Sequence, residues 1–285
     1  MGVSMEQIKE LRAKTGAGVL DCKKALAGSD GDVEAAVDFL RKKGLADAAK
    51  KSGRSTTEGL VVNVKKEEGK DITMLAVMCE TDFVARTDEF KTLANNMIES
   101  VVDAVPETEK AEPLPEDVAG ANEDSLKQAI AKVGENMQFG DYAKFTLKGN
   151  GKLYDYTHFT GKIGVALEIL CDKQDETLDQ LGKNLCLHIA AFSPDFVSGE
   201  DIPEEVLKKE RDIYADQMRE SGKPEHIIEK IVDGKIRKFK EERCLLSQNF
   251  ALDEDRTVQE LVDEASRAMD LPIKVTRFAR VAIED

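Results

Sequence analysis

Histidine, paired cysteine and long apolar runs are what this 285-residue chain has little of, and each shortage removes a class of chemistry. Three histidines, His158, His188 and His226, give scant material for metal or acid–base machinery. The five cysteines (Cys22, Cys79, Cys171, Cys186 and Cys244) form no CxxC pair and are odd in number, which argues for reduced thiols and against a zinc site. No apolar run approaches the roughly 20 residues that span a bilayer. The opening "MGVSMEQIKELRAKTG" has no apolar signal core and fits the myristoylation pattern poorly. A cytoplasmic location is therefore expected, with no metal, cofactor or membrane. Positive charge is also short: the net of −15 argues against direct nucleic-acid binding, because phosphates reward Lys and Arg. The shortage is uneven. Residues 1–54 hold eleven Lys/Arg against eight Asp/Glu, so a basic module of +3 precedes a body of −18.

What is present is strong periodicity. Residues 4–50 predict three short helices. In "SMEQIKELRAK" Ser4 is the N-cap candidate, with Met5, Ile8 and Leu11 at helical spacing. "VLDCKKALAGS" ends at Gly28, and "SDGDVEAAVDFLRKKG" sets Val33, Ala36, Val37 and Leu40 on one face, with Gly44 as the expected stop. The polar "KKSGRSTTEG" reads as a linker. "LVVNVKKEEGKDITMLAVMC" then predicts strand, turn and strand, the second arm so apolar that both faces should be covered. A helix with Thr87 as N-cap should bury Phe90, Leu93, Ala94, Met97, Ile98 and Val101. Pro106, Pro113 and Pro115 mark an exposed connector before a helix from Ser125 to about Met137. "AKFTLKGNGKLYDYTH" and "GKIGVALEIL" are strands and "TLDQLGKNLCLHIAAF" a helix, so strand–strand–helix occurs twice, as element order rather than residue identity.

Residues 203–244 interleave eleven acids and eleven bases with two apolar stripes, Leu207, Tyr214, Met218 and Ile228, Val232, Ile236, Phe239. With "SGKP" as a sharp turn, this is an antiparallel helical hairpin with arms roughly 25 Å long at 1.5 Å per residue. Its stripes either cover one another, the simpler account, or support self-association as a homodimer or 2:2 complex. "TVQELVDEASRAMD" predicts a last helix, and "PIKVTRFARVAIE" a strand that returns to a sheet.

One turn is out of place. "MCETDFVART", residues 78–87, puts Asp82 and Phe83 at a strand–helix junction, where small or polar residues are usual. Residue types alone favour Asp82 as an N-cap and Phe83 as core packing, since buried Phe is common.

"IKELRAKTGAGVLDCKKAL", "ETDFVAR", "KVGENM", "YTHFTGKIGVALEI" and "ESGKPEHIIEKIVDGKIRKF" together resemble the signature segments of the elongation factor Ts family, in that family's order and over most of the chain. The resemblance implies an α+β fold: a ubiquitin-associated-like three-helix bundle (1–54), a core of two subdomains with small antiparallel sheets (55–140 and 141–202), a protruding hairpin (203–244) and a C-terminal helix and strand (245–285). It implies a guanine-nucleotide exchange factor, not an enzyme, whose partner is the translation GTPase elongation factor Tu. Asp82 and Phe83 would then enter the partner near its Mg²⁺ and phosphate region. Arg12, Leu20 and Lys23 match contacts from the bundle, Val133 and His158 contacts from the core. Ala251 and Leu252 match a docking pair near the C-terminus. Three departures stand out: Val133 is smaller than the family's frequent Ile, "YTHFTGK" is less Gly-rich, and Asn249 replaces a Pro.

Two other classes compete. A non-catalytic adaptor would use the bundle and hairpin for stable binding alone. A thiol or hydrolytic enzyme built on Cys186 and His188 fails on geometry, since two residues apart on a helix do not face each other. "GAGVLD" is no dinucleotide fingerprint, because Asp21 stands where the third Gly is needed and no strand precedes it.

Overall fold

The computed structural model describes residues 3–219 and 224–284. The N-terminal bundle comprises α1 (Met5–Thr15), α2 (Val19–Gly28) and α3 (Val33–Lys51). Ser4 and Gln7 form a reciprocal capping box at α1, and Asp32 caps α3. Ile8, Leu11, Cys22, Ala25, Leu26 and Ala36 close a small core of their own. The expected stop at Gly44 is wrong: α3 runs seven residues further. A Cβ at Gly44 would sit 2.7 Å from the Cβ of Ala131, so this glycine permits close helix packing and does not end the helix. The expected linker is correspondingly shorter, with Lys50 and Lys51 inside α3.

The core follows. β1 (Glu58–Lys66) and β2 (Asp71–Cys79) form a hairpin, succeeded by a single helical turn, α4 (Asp82–Ala85), and by α5 (Asp88–Val101). Thr87 caps α5, and Phe90, Ala94, Met97, Ile98 and Val101 are buried, the larger side chains each contributing about 1.5–3 kcal/mol. The connector is less exposed than its prolines suggest. Thr108 is buried against β4 (Met137–Thr146), and the short β3 (Glu112–Pro113) pairs with that strand. A short, unexpected α6 (Glu116–Ala121) precedes α7 (Glu123–Val133), the helix expected from Ser125, and Gly134 with φ +88° ends α7 before Met137 begins β4. β5 (Gly151–Thr157), β6 (Ile163–Leu170) and α8 (Glu176–Phe192) come next. The hairpin is α9 (Glu204–Arg219) and α10 (Glu225–Arg243); the turn expected at "SGKP" lies outside the described residues apart from Pro224. Ile228, Val232 and Ile236 pack on Leu207, Tyr214 and Met218, so the stripes cover each other. A two-stranded ribbon, β7 (Asn249–Phe250) and β8 (Asp253–Thr257), then leads into α11 (Val258–Met269) and β9 (Lys274–Ala282).

The two main sheets share one plan. One has the antiparallel order β1-β2-β4, with β3 beyond; the other is β5-β6-β9. Each is a hairpin whose second strand also pairs with a strand arriving from a later helix. The sheets pack face to face through Val61, Ile72, Met74, Ala76, Ala143, Phe145, Leu153, Ala166, Ala279 and Val281. Helices α5 and α7 cover the outside of the first, α8 and α11 that of the second. Alternation along β2 explains its unbroken apolar run. Ile72, Met74 and Ala76 face the second sheet, while Leu75, Val77 and Cys79 face the helices. The protein is thus an α+β structure with small antiparallel sheets. Arg277 of β9 ties its layers together, donating to Glu168 Oε2 (3.1 Å), Thr146 O (2.7 Å) and Thr108 O (3.2 Å) while stacking on Phe145.

Candidate protein-binding surface

The "MCETDFVART" junction is neither a loose turn nor core. Thr81, not Asp82, is the N-cap of α4: its backbone is extended, and its Oγ1 accepts from the Val84 N–H at 3.3 Å. The Thr81 N–H and hydroxyl in turn donate to Glu135 at 3.0 and 2.6 Å. Glu80 accepts from the Asn136 N–H at 2.6 Å and from Arg54 at 3.3 Å, and Asn136 Nδ2 donates to Arg54 O at 2.7 Å. The base of α4 is therefore clamped to the segment after α7 and to the segment after α3. Ala85 points inward and Val84 packs on the first core, which turns Phe83 outward. Asp82 is paired with Arg86 at 2.9 Å. Beneath them, burial and the Glu135 charge push the Cys79 thiol up to about 12, so it stays protonated at neutral pH.

Among the described residues, the large apolar side chains at least 70% exposed are Leu20 (74%), Phe83 (81%), Phe159 (91%) and Leu252 (70%). Scattered exposed apolar residues are normal on any surface. These four stand at turns or at the start of a helix, and all lie in stretches singled out from sequence, although only Leu20, Phe83 and Leu252 are themselves expected contacts. Arg12, Leu20 and Lys23 are all exposed on the bundle, and neither Arg12 nor Lys23 has an ion-pair partner among the described residues. The bundle meets the core at α7. Lys51 donates to Gly134 O at 2.8 Å, and Lys132, paired with Glu89 at 2.7 Å, lies against Gly16. The C-terminal end of α7 is thus shared by the Gly16 loop and the Phe83 turn. Val133 sits there half-buried, with part of its surface already spent on the first core. His158 is half-buried in the β5–β6 turn, its Nδ1 2.8 Å from Thr160 Oγ1.

Ala251 and Leu252 belong to a different assembly, at the β7–β8 turn. The Ala251 N–H donates to His188 Nδ1 at 3.2 Å, so the imidazole is neutral there and carries its proton on Nε2. That Nε2–H donates to Gln248 Oε1 at 2.9 Å, and Gln248 Nε2 donates to Glu242 O at 2.7 Å. His188 is fully buried and stacked on Phe192, and burial holds its pKa below the ordinary value. It is structural, as its apolar helix face suggests. Cys186, raised strongly by burial, is equally unsuited to act as a nucleophile.

Sequence reasoning missed Thr81, Glu135 and Phe159. Thr81 carried a legible signal, a Thr three residues before Val84 at a helix start. Glu135 carried none, because its role depends on two distant segments meeting. Among the described residues no cluster of His, Cys, Asp and Glu could hold a metal ion, and no helix is long and apolar enough to cross a membrane.

Fold and surface together define an α+β scaffold that displays apolar side chains on clamped turns. The family model described as Elongation factor TS matches residues 80–285. Proteins named elongation factor Ts are 42% identical over 99% of this chain in Trichlorobacter lovleyi, covering 93% of that protein, and 45% identical over 98% in Halothermothrix orenii, covering 92%. The one from Desulfovibrio desulfuricans is 40% identical over 99% of this chain and 98% of its own length. The chain belongs to the elongation factor Ts family and is a translation elongation factor.

Proposed function

We propose that this chain is a cytoplasmic, non-enzymatic exchange factor that releases GDP from elongation factor Tu. A nucleotide in such a GTPase is held by backbone donors around its phosphates, a Lys and Mg²⁺. Release needs no covalent step. It needs a protein that binds best to the arrangement in which those contacts are broken, and reciprocity then makes nucleotide weaken the factor's binding equally.

The observation that carries this reading is Phe83, 81% exposed on a turn whose base is clamped by Glu135 and Asn136. An aromatic brings large contact area with few torsions to freeze, and here the backbone beneath it is already ordered. Phe83 is the wedge near the Mg²⁺ and phosphate region. Asp82 enters beside it and offers a carboxylate to a polar group or helix N-terminus of the partner, after exchanging its Arg86 contact. Arg12, Leu20 and Lys23 dock the bundle, the two cations orienting encounter with an acidic surface. Val133 and His158 add core contacts, with His158 as a hydrogen-bonding group and not a base. Ala251 and Leu252 dock the far end. The stoichiometry belongs to the same proposal. A homodimer or 2:2 complex would use the exposed Ile213 and Ile227 of the hairpin, and light scattering would show the doubled mass.

The test is release of a fluorescent GDP from elongation factor Tu. Catalytic amounts of this chain should speed release, and Phe83→Ala should slow the saturating rate by about 30-fold or more, the size of a strong interface hot spot, without lowering the melting temperature. An unchanged nucleotide off-rate alongside stable binding would leave the adaptor reading in its place.

A further inference from the structure

We propose that Phe159 is an additional apolar docking residue for the same GTPase, seated in an apolar depression of that partner whose polar rim meets His158. This rests on the exchange-factor reading and extends it to a residue not among the contacts assigned above.

Phe159 is the most exposed large apolar side chain among the described residues, at 91%. The next three, Phe83, Leu20 and Leu252, are each assigned as contacts with the partner, so exposure sorts Phe159 with them, beside the assigned His158. Its backbone is fixed, which separates it from an incidental surface hydrophobe. The His158 N–H donates to Ile163 O at 2.9 Å and the Gly161 N–H to His158 O at 2.8 Å, closing a tight turn. Gly161, at φ +76°, gives its carbonyl to the Val61 N–H at 2.7 Å, and Lys162 O accepts from the Ile283 N–H at 2.9 Å. Two strands, β1 and β6, and the segment after β9 thus hold the turn. The Phe159 ring leans on the His158 imidazole, centroids 4.2 Å apart, which limits its rotamers. Ordering such a side chain on binding costs little further entropy.

Position gives the partner. Lys162 Nζ lies 2.8 Å from Glu58 Oε1, Glu58 pairs with Cys79 across the β1–β2 hairpin, and Cys79 leads directly through Glu80 and Thr81 into α4. Phe159 and Phe83 are therefore presented from the same end of that hairpin. Chemistry gives the pocket. Lys162 is neutralised by Glu58, and His158 Nδ1 is taken by Thr160, so the turn offers an aromatic ring beside the remaining imidazole nitrogen, Nε2. Such a tip suits an apolar depression with a hydrogen-bonding rim, and an acidic or phosphate-rich surface suits it poorly.

The roles of the two rings differ, and the experiment reads the difference. GDP release from elongation factor Tu is titrated with wild type, Phe83→Ala, Phe159→Ala and Phe159→Leu. Phe159→Ala should raise the concentration giving half-maximal release by about tenfold while leaving the saturating rate unchanged, as a moderate docking contact would. Phe159→Leu should restore most of the loss, and Phe83→Ala should lower the saturating rate instead. If wild type speeds release and Phe159→Ala titrates like it, this inference alone falls. If wild type does not speed release, the exchange-factor reading falls and takes the inference with it. Equal losses in Ala and Leu variants, with a lowered melting temperature in both, would make Phe159 a turn-packing residue and overturn the proposal.

Discussion

The Phe83 turn and the Leu252 turn solve one physical problem in two ways. Each holds an apolar side chain in water at the tip of a short connection, and each fixes its backbone with side chains from a distant part of the chain. At Phe83 the anchors are carboxylates, Glu135 on Thr81 and Glu80 on Asn136, partly open to solvent. At Leu252 the anchor is a neutral imidazole, sealed in the second core and bonded at both nitrogens. The carboxylate clamp tolerates water, being half-buried. The imidazole clamp needs burial and an unprotonated Nδ1, because the Ala251 N–H has no use for a second donor. The difference makes the two turns separable by experiment.

The largest effect should come from breaking what both turns share. Arg277 and Glu168 are buried between the sheets, so Arg277→Met strands a carboxylate and two carbonyls there. Unfolding by urea should show a loss of about 3–5 kcal/mol, and both turns should lose amide protection together. Glu135→Ala should act on the first turn alone. It leaves the Thr81 N–H and hydroxyl without their acceptor, at about 1–3 kcal/mol. Hydrogen exchange should quicken at Thr81–Ala85 and stay as it was at Ala251, and the saturating GDP-release rate should fall less than in Phe83→Ala. The smallest effect sharpens the contrast through pH. Burial sets the folded-state pKa of His188 below its ordinary 6.5, so the unfolded chain takes up the proton first as pH falls. Stability contributed by neutral His188 is complete above about 6.5 and declines below it, towards the folded-state value, with a slope of at most about 1.4 kcal/mol per pH unit. Melting curves across that window should slope for wild type and lose the part due to this residue in His188→Gln. A quickening of exchange at Ala251 on acidification that is absent at Thr81 would confirm that the two clamps differ.

Legibility in the sequence followed the range of the interactions. Helix starts were readable where the cap and its recipient lie within three residues, as at Ser4 and Thr87. The strands were readable from alternation and apolar content. Endings went wrong where a distant surface decided them. Gly44 has the composition of a stop and is instead a point of contact with Ala131, and the prolines around residues 106–115 look like open connector although Thr108 is buried on β4. The same division holds for the candidate surface. Asp82 and Phe83 drew notice as an acid and a ring in a turn, yet residue types alone pointed to core packing for the ring. The inward packing of Val84 and Ala85, on a turn whose Thr81 donates to Glu135, 54 residues further on, decides that the ring faces water.

By itself, then, the sequence determined the order of the longer helices and strands, the basic bundle before an acidic body, the scarcity of histidine, and membership of a family whose segments recur in order. These are local or additive properties, set by neighbours in the chain and by summed composition. The tertiary structure alone decided which exposed rings are rigidly held, which glycine is a close contact, and which polar residues anchor the two turns. Those outcomes depend on groups tens of residues apart arriving at hydrogen-bond or van der Waals distance, and no short-range pattern encodes that meeting.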